Sequence, residues 1–127
     1  MSAYLDPPDF EFYGRHLLLN LSHCKVDLDD LPLIKKDLIE AVEMVGATIL
    51  GSMEHKFSPK GCSVLLLLSE SHASVHTYPE YKSCFLDLFT CGRSLDVQPF
   101  ADILIQRWQP ASVHRTLQER LLFAENL

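Results

Sequence analysis

Apolar and polar residues alternate along this chain with two different periods, and the changes of period divide it into elements. Gly14 opens GRHLLLNLS, a run of leucines between polar ends that predicts a first strand. From Asp27 the spacing changes: Leu31, Ile34, Leu38, Val42 and Val45 recur every three or four residues, as on one face of a helix. Asp29 or Asp30 suits its N-cap, Pro32 its first turn and Gly46 its C′ position. Ala47 to Met53 then predicts a second strand, in which Gly51 marks a bulge or a close backbone approach.

His55 to Gly61 is turn-rich and leads into CSVLLLLS, a strand apolar on both faces. After Ser71 the run HASVHTY alternates strictly. His72, Ser74, His76 and Tyr78 fall on one face, and Ala73, Val75 and Thr77 on the other. Past Pro79, SCFLDLFTC predicts a further strand, with Phe85, Asp87, Phe89 and Cys91 on one side and Cys84, Leu86, Leu88 and Thr90 on the other. Asp96 suits the cap of a second helix whose stripe is Val97, Phe100, Leu104 and Trp108, ended by Pro110. Two segments lack a clear period. Residues 1–13 carry Pro7-Pro8 and several acids and read as an extended arm with Phe10, Phe12 and Tyr13 free to dock. In residues 111–127, Val113 to Leu117 fits a last strand while ERLLFAENL fits a short helix equally well.

The sum is an α+β fold: a mainly antiparallel sheet of five or six strands with two helices on one face. One helical layer covers one face of the sheet only. A strand apolar on both faces therefore predicts that a second chain covers the other, so a dimer is expected. At 127 residues the chain is one domain.

Composition narrows the function classes. A formal net charge of −6, with Lys35-Lys36 as the longest basic run, argues against nucleic acid as a partner. The longest apolar run, Val64 to Leu68, is far short of the roughly 20 residues a spanning helix needs, so no membrane is expected. The N-terminus has acids and prolines where a secretory signal has basic and apolar residues, so a cytoplasmic location is expected, and with it four free thiols at Cys24, Cys62, Cys84 and Cys91.

Reactive side chains concentrate in Ser69 to Gly92, SESHASVHTYPEYKSCFLDLFTCG. A zinc site through His72 and His76 is disfavoured, because strand positions i and i+4 lie about 13 Å apart, and no metal is expected. A serine hydrolase needs a G-x-S-x-G elbow, which the chain lacks. A Cys91–His76 nucleophile pair is conceivable, as is a purely structural role for these residues, since buried cysteines and lone histidines are common in cores. The bare residue pattern leaves these readings open.

The order of the residues goes further. S-E-S-H-x-x-x-H-T-Y-P-E followed by D-L-F-T-C-G resembles the signature of the bacterial and archaeal S-adenosylmethionine decarboxylase proenzymes. The resemblance extends through GRHL (Gly14 to Leu17), GATI (Gly46 to Ile49) and H-K-F-x-P-x-G-x-S (His55 to Ser63), covering roughly residues 14–108.

That resemblance implies a self-processing enzyme, cut between Glu70 and Ser71 into a β chain (1–70) and an α chain (71–127). It also implies a pyruvoyl cofactor made from Ser71, an electron sink for decarboxylation of S-adenosylmethionine to the aminopropyl donor of spermidine synthesis. By motif position, His76 and Ser63 assist self-cleavage and Cys91 donates the proton to the product carbon. Phe57 and Tyr78 sandwich adenine, and Glu80 accepts from the ribose hydroxyls. The resemblance implies a homodimer as well, two protomers packing sheet to sheet as an αββα sandwich. Two alternatives remain: a pyruvoyl-dependent ornithine or arginine decarboxylase on the same scaffold, and a non-catalytic homologue.

Overall fold

A computed structural model describes residues 10–91 and 95–123. Its elements, in chain order, are β1 (Phe10–Ser22), α1 (Leu31–Met44), β2 (Ile49–Lys56), β3 (Cys62–Leu68), β4 (Ser71–Tyr78), β5 (Ser83–Cys91), α2 (Gln98–Trp108) and β6 (Ser112–Phe123), with a 3₁₀ turn at Pro79–Tyr81. The strands form one sheet in the order β2-β3-β4-β5-β1-β6, and every neighbouring pair is antiparallel. This is the α+β architecture expected from the residue pattern.

Local sequence explains the boundaries. Asp30 caps α1, its Oδ1 accepting from the N–H of Leu33 at 3.2 Å. Gly46 follows the helix at φ +85°, a left-handed conformation that glycine adopts without steric cost. In β2 the pairing with β3 slips between Ile49 and Gly51, so the bulge marked by Gly51 is present. Asp96 does not cap α2 as its N-cap residue. That position is Val97, and the Asp96 carboxylate accepts from the N–H of Gln98 instead.

Both helices lie on one face of the sheet. Ile34, Leu38, Ala41 and Val42 of α1 and Phe100, Leu104 and Trp108 of α2 are buried against Leu17, Leu19, Val64, Leu66, Val75, Leu86 and Leu88. Two helices crossing a sheet need a fixed contact with each other. Asp37 of α1 supplies it, accepting from Trp108 Nε1 at 2.8 Å and from Arg107 at 2.9 Å. Asp37 and Trp108 are both nearly sealed from water, so their polar groups are satisfied where an unpaired one would be costly.

Among the described residues, no layer covers the opposite face. Leu65, Leu67, Phe85 and Leu18 stand there 45%, 59%, 51% and 41% exposed. β3 is thus apolar on both faces, and in a single chain only one of them is buried. The C-terminal segment is one long edge strand, β6, paired along its length with β1. Ser112–Phe123 is strand throughout, so the helix expected over ERLLFAENL is absent from residues 119–123, and its last four positions lie outside the described residues. Phe10 to Tyr13 belong to β1, and the first nine positions of the expected arm lie outside the described residues. All four cysteines are free thiols.

Candidate functional site

The β3–β4 hairpin turns through Ser69 and Glu70 alone, since Leu68 already pairs with Ser71. Two-residue hairpin loops favour glycine or asparagine because the chain must visit positive φ. Neither is present, and the positive φ falls on Ser71, at 148°. A side-chain-bearing residue there costs about 1–3 kcal/mol and persists only where its surroundings hold it in place.

The surroundings do fix it, from both flanks. On one side the N–H of Ser69 donates to the carbonyl of Thr48 at 2.9 Å, and the N–H of Thr48 donates to the Glu70 carboxylate at 3.0 Å. That backbone donor holds the Glu70 carboxyl below the usual carboxylate range. On the other side the N–H of Cys91, at the end of β5, donates to the carbonyl oxygen of Glu70 at 2.9 Å. The Glu70–Ser71 peptide is therefore strained and clamped, and its carbonyl is polarised by a hydrogen-bond donor. Cys91 and Ser71 are brought together at this end of the sheet.

A second group gathers at the far end of the same strands. Ser63 and His76 are register partners on β3 and β4, and Ser63 Oγ lies 2.7 Å from His76 Nδ1. Around them Phe57, Gly61, Tyr78 and Glu80 line a cleft of about 370 Å³. Phe57 is presented by a tight loop whose ends are joined by a 2.8 Å bond from its N–H to the Gly61 carbonyl. Gly61 itself sits at φ +104°, where an added Cβ would come within 3.2 Å of the Thr77 carbonyl oxygen, so only glycine fits. Asp29 braces the loop by accepting from the Gly61 N–H and from Lys56, both at 2.8 Å, and these bonds lower its carboxyl pKa. Phe57 and Tyr78, about half-exposed aromatic rings, stand at the cleft with Glu80 on the 3₁₀ turn between them and β5.

These two groups do not meet within one chain. Ser71 and His76 are five residues apart on β4, about 17 Å at ~3.4 Å per residue. Two hollows of about 590 and 620 Å³ are larger than the Ser63–His76 cleft. Size alone would choose them, but neither contains the Ser63–His76 pair or the Glu70–Ser71 turn.

Between the two ends lies a cluster missed in the sequence. Asp87 on β5 sits 2.7 Å from His16 Nε2 and 2.9 Å from His72 Nε2, and also accepts from Ser74. Burial alone would raise its pKa, but the bonds from Ser74, His16 and His72 outweigh burial and hold the carboxyl below its ordinary value. The two Nε2 atoms and the carboxylate lie within 4.8 Å of one another, a donor set of metal-ligating type. Arg120 lies 3.4 Å from His16 Nδ1, and a guanidinium only donates. The network therefore assigns the His16 ring proton to Nε2, aimed at Asp87, which makes the set a hydrogen-bond hub. Strand parity gives each of His72 and Asp87 a side of its own strand only; the register that pairs Asp87 with Ser74, between His72 and His76, is what brings them together.

The model of the S-adenosylmethionine decarboxylase family matches residues 15–121. The chain belongs to that family. It is 41% identical to the S-adenosylmethionine decarboxylase proenzyme of Brevibacillus brevis over 107 residues, which are 84% of this chain and 80% of that protein. It is 48% identical to the proenzyme of Methanococcus maripaludis over 80 residues, 62% of this chain and 66% of that one. Among solved structures, the adenosylmethionine decarboxylase of Aquifex aeolicus superposes with a TM-score of 0.81 at 30% identity, covering 90% of this chain and 95% of its own. The family match includes most of β6, beyond the limit near Trp108 where the motif resemblance ended. Among the described residues, no helix is long and apolar enough to cross a membrane.

Proposed function

We propose that the chain is a self-processing S-adenosylmethionine decarboxylase. It cuts itself between Glu70 and Ser71 into residues 1–70 and 71–127, carries a pyruvoyl group derived from Ser71, and works as a homodimer. The observation that carries this reading is the Glu70–Ser71 turn itself, strained at Ser71 and with the Glu70 carbonyl already held by the Cys91 N–H.

The chemistry follows from these groups. Ser71 Oγ adds to the Glu70 carbonyl carbon, and the oxyanion that develops faces the Cys91 N–H. The peptide C–N bond breaks as the proton from Oγ passes to the Ser71 nitrogen, leaving an ester. Loss of the Ser71 Cα proton expels the Glu70 carboxylate, and water then replaces the nitrogen as ammonia to leave the ketone. Strain at Ser71 favours the first step, because breaking the peptide releases it.

The proton transfers need a base, and the Ser63–His76 pair can provide one, a ring nitrogen in hydrogen-bond contact with a hydroxyl. Since that pair is about 17 Å from Ser71 along β4, the partner chain's pair must serve. A two-fold axis running across the strands, between two open faces, lays the Ser71 end of one chain over the His76 end of the other. Leu18, Leu65, Leu67 and Phe85, exposed in one chain, would be buried by that packing.

Once formed, the pyruvoyl group supplies the electron sink for loss of carbon dioxide. Residues of both chains do the rest, since the cleft and Cys91 lie at opposite ends of the strands in each. Phe57 and Tyr78 of one chain would stack on adenine and attract a sulfonium through their ring faces, its Glu80 would accept from ribose hydroxyls, and the partner's Cys91 thiol would return a proton to the product carbon. The product is an aminopropyl donor for spermidine synthesis. Phe57, Tyr78 and Glu80 favour a nucleoside over ornithine or arginine.

Purified protein incubated with S-adenosylmethionine, ornithine or arginine should release carbon dioxide from the first alone. Release from either amino acid but not from S-adenosylmethionine would replace the reading with its nearest rival. Release from none would leave a non-catalytic homologue.

A further inference from the structure

Thr90 is completely buried, and its hydroxyl is a buried side-chain polar atom with no hydrogen-bond partner among the described residues. Such groups are rare in folded proteins, and each calls for a reason. Thr90 lies on β5 one residue before Cys91, and its register partner on β4 is Ser71.

Strand parity puts Thr90 on the helix-covered side of the sheet with Leu88 before it, and Ser71, held at φ 148° outside the extended-strand range, opens β4 directly opposite. The Ser71 hydroxyl likewise forms no side-chain hydrogen bond among the described residues. Directly opposed residues on antiparallel strands hold their Cβ atoms about 4.5–5.5 Å apart, a separation at which Thr and Ser hydroxyls bond across the ladder. Arg15, the neighbour of Thr90 on β1, is engaged elsewhere: its guanidinium lies over the Tyr13 ring and reaches the Leu95 carbonyl. Among the described residues, nothing else is left to claim the Thr90 hydroxyl.

We propose that Thr90 is a positioning residue for self-cleavage. Its hydroxyl accepts from the Ser71 Oγ–H after one rotation about Ser71 χ1, and so aims the Oγ lone pair at the Glu70 carbonyl carbon. The inference rests on self-cleavage at Glu70–Ser71 as proposed above. Consecutive residues of β5 then hold the two partners of the reaction, Thr90 the nucleophile through its hydroxyl and Cys91 the electrophile through its N–H. A threonine does this where a valine of the same shape cannot, and the Thr90 hydroxyl is itself sealed from water. Thr90 has no part in decarboxylation, because the Ser71 hydroxyl no longer exists once the chain is cut.

Freshly synthesised chains of the full-length protein, followed by mass spectrometry for the appearance of the two fragments, test this directly. Thr90→Val should cleave about tenfold more slowly than the native chain, the loss expected for one hydroxyl contact. Its Tm should be unchanged or raised, because an unpaired buried hydroxyl has been removed. Thr90→Ser should restore the native cleavage rate, and the fraction of Thr90→Val that does cleave should decarboxylate at the native rate per cut chain. Native-rate cleavage by Thr90→Val would overturn the proposal. So would slow cleavage that comes with a lower Tm and is not restored by Thr90→Ser. If the native chain itself fails to cleave, the parent reading falls, an outcome visible in the control before any variant is compared.

Discussion

The backbone N–H of Cys91 and the carbonyl oxygen of Glu70 are joined by a 2.9 Å hydrogen bond that ties the end of β5 to the Glu70–Ser71 turn. In the proposed mechanism Cys91 has two separable roles, one through its backbone and one through its thiol.

Cys91→Ala separates them. The N–H survives the substitution, so self-cleavage should run within a few-fold of the native rate, while loss of the proton donor should lower turnover roughly 100-fold. Timed mass spectra and carbon dioxide release measure the two on one sample. Equal losses in both would mean that the thiol serves the cleavage step as well.

The separation of Ser71 from His76 along β4 makes a prediction about mixed assemblies. On the proposed mechanism Ser71→Ala chains lack the nucleophile, and His76→Ala chains lack the base. Each alone should remain almost wholly uncut. Co-expressed with distinguishable tags, the two should pair so that the Ser71→Ala chain offers its His76 to the Ser71 of its partner, and the His76→Ala chain should be cut. An uncut His76→Ala chain in a confirmed mixed dimer would place the base within the same chain as the nucleophile.

Much of this arrangement was legible in the sequence, and the gaps have physical causes. The alternation of His72, Ser74, His76 and Tyr78 against Ala73, Val75 and Thr77 survived intact, because a residue period of two translates directly into two faces. β6 was ambiguous because residues 112–120 are exposed on an edge strand, so no buried face imposes a pattern on them. Phe10 to Tyr13 read as an arm because Pro7-Pro8 precedes them, although β6 pairs with them. The Asp87 cluster was out of reach, since it depends on which residue of β5 faces which residue of β4 and on β1 lying beyond β5. Residue spacing alone already implied that Ser71 and His76 lie far apart; grouping them by motif concealed it.

Asp87 supplies a pH test. Its folded pKa is depressed, so its contribution to stability is complete above the unfolded value of about 3.9 and is lost as pH falls through the folded value. Asp87→Asn should cost about 2 kcal/mol near neutral pH, the scale of hydrogen bonds to a charged group. The difference between the two proteins in denaturant unfolding should shrink as pH falls below about 4. A difference that stays constant down to about pH 2 would mean that the charge of Asp87 contributes nothing to the network.

The claim on which everything else depends is the cut at Glu70–Ser71, and intact mass of the purified protein tests it most directly. The account predicts two fragments, residues 1–70 and a second starting at position 71 that is lighter by one ammonia than simple hydrolysis would give, with Ser71→Ala remaining as one chain of 14.4 kDa. A native sample that stays a single uncut chain, or a second fragment with an intact serine at its head, would contradict it.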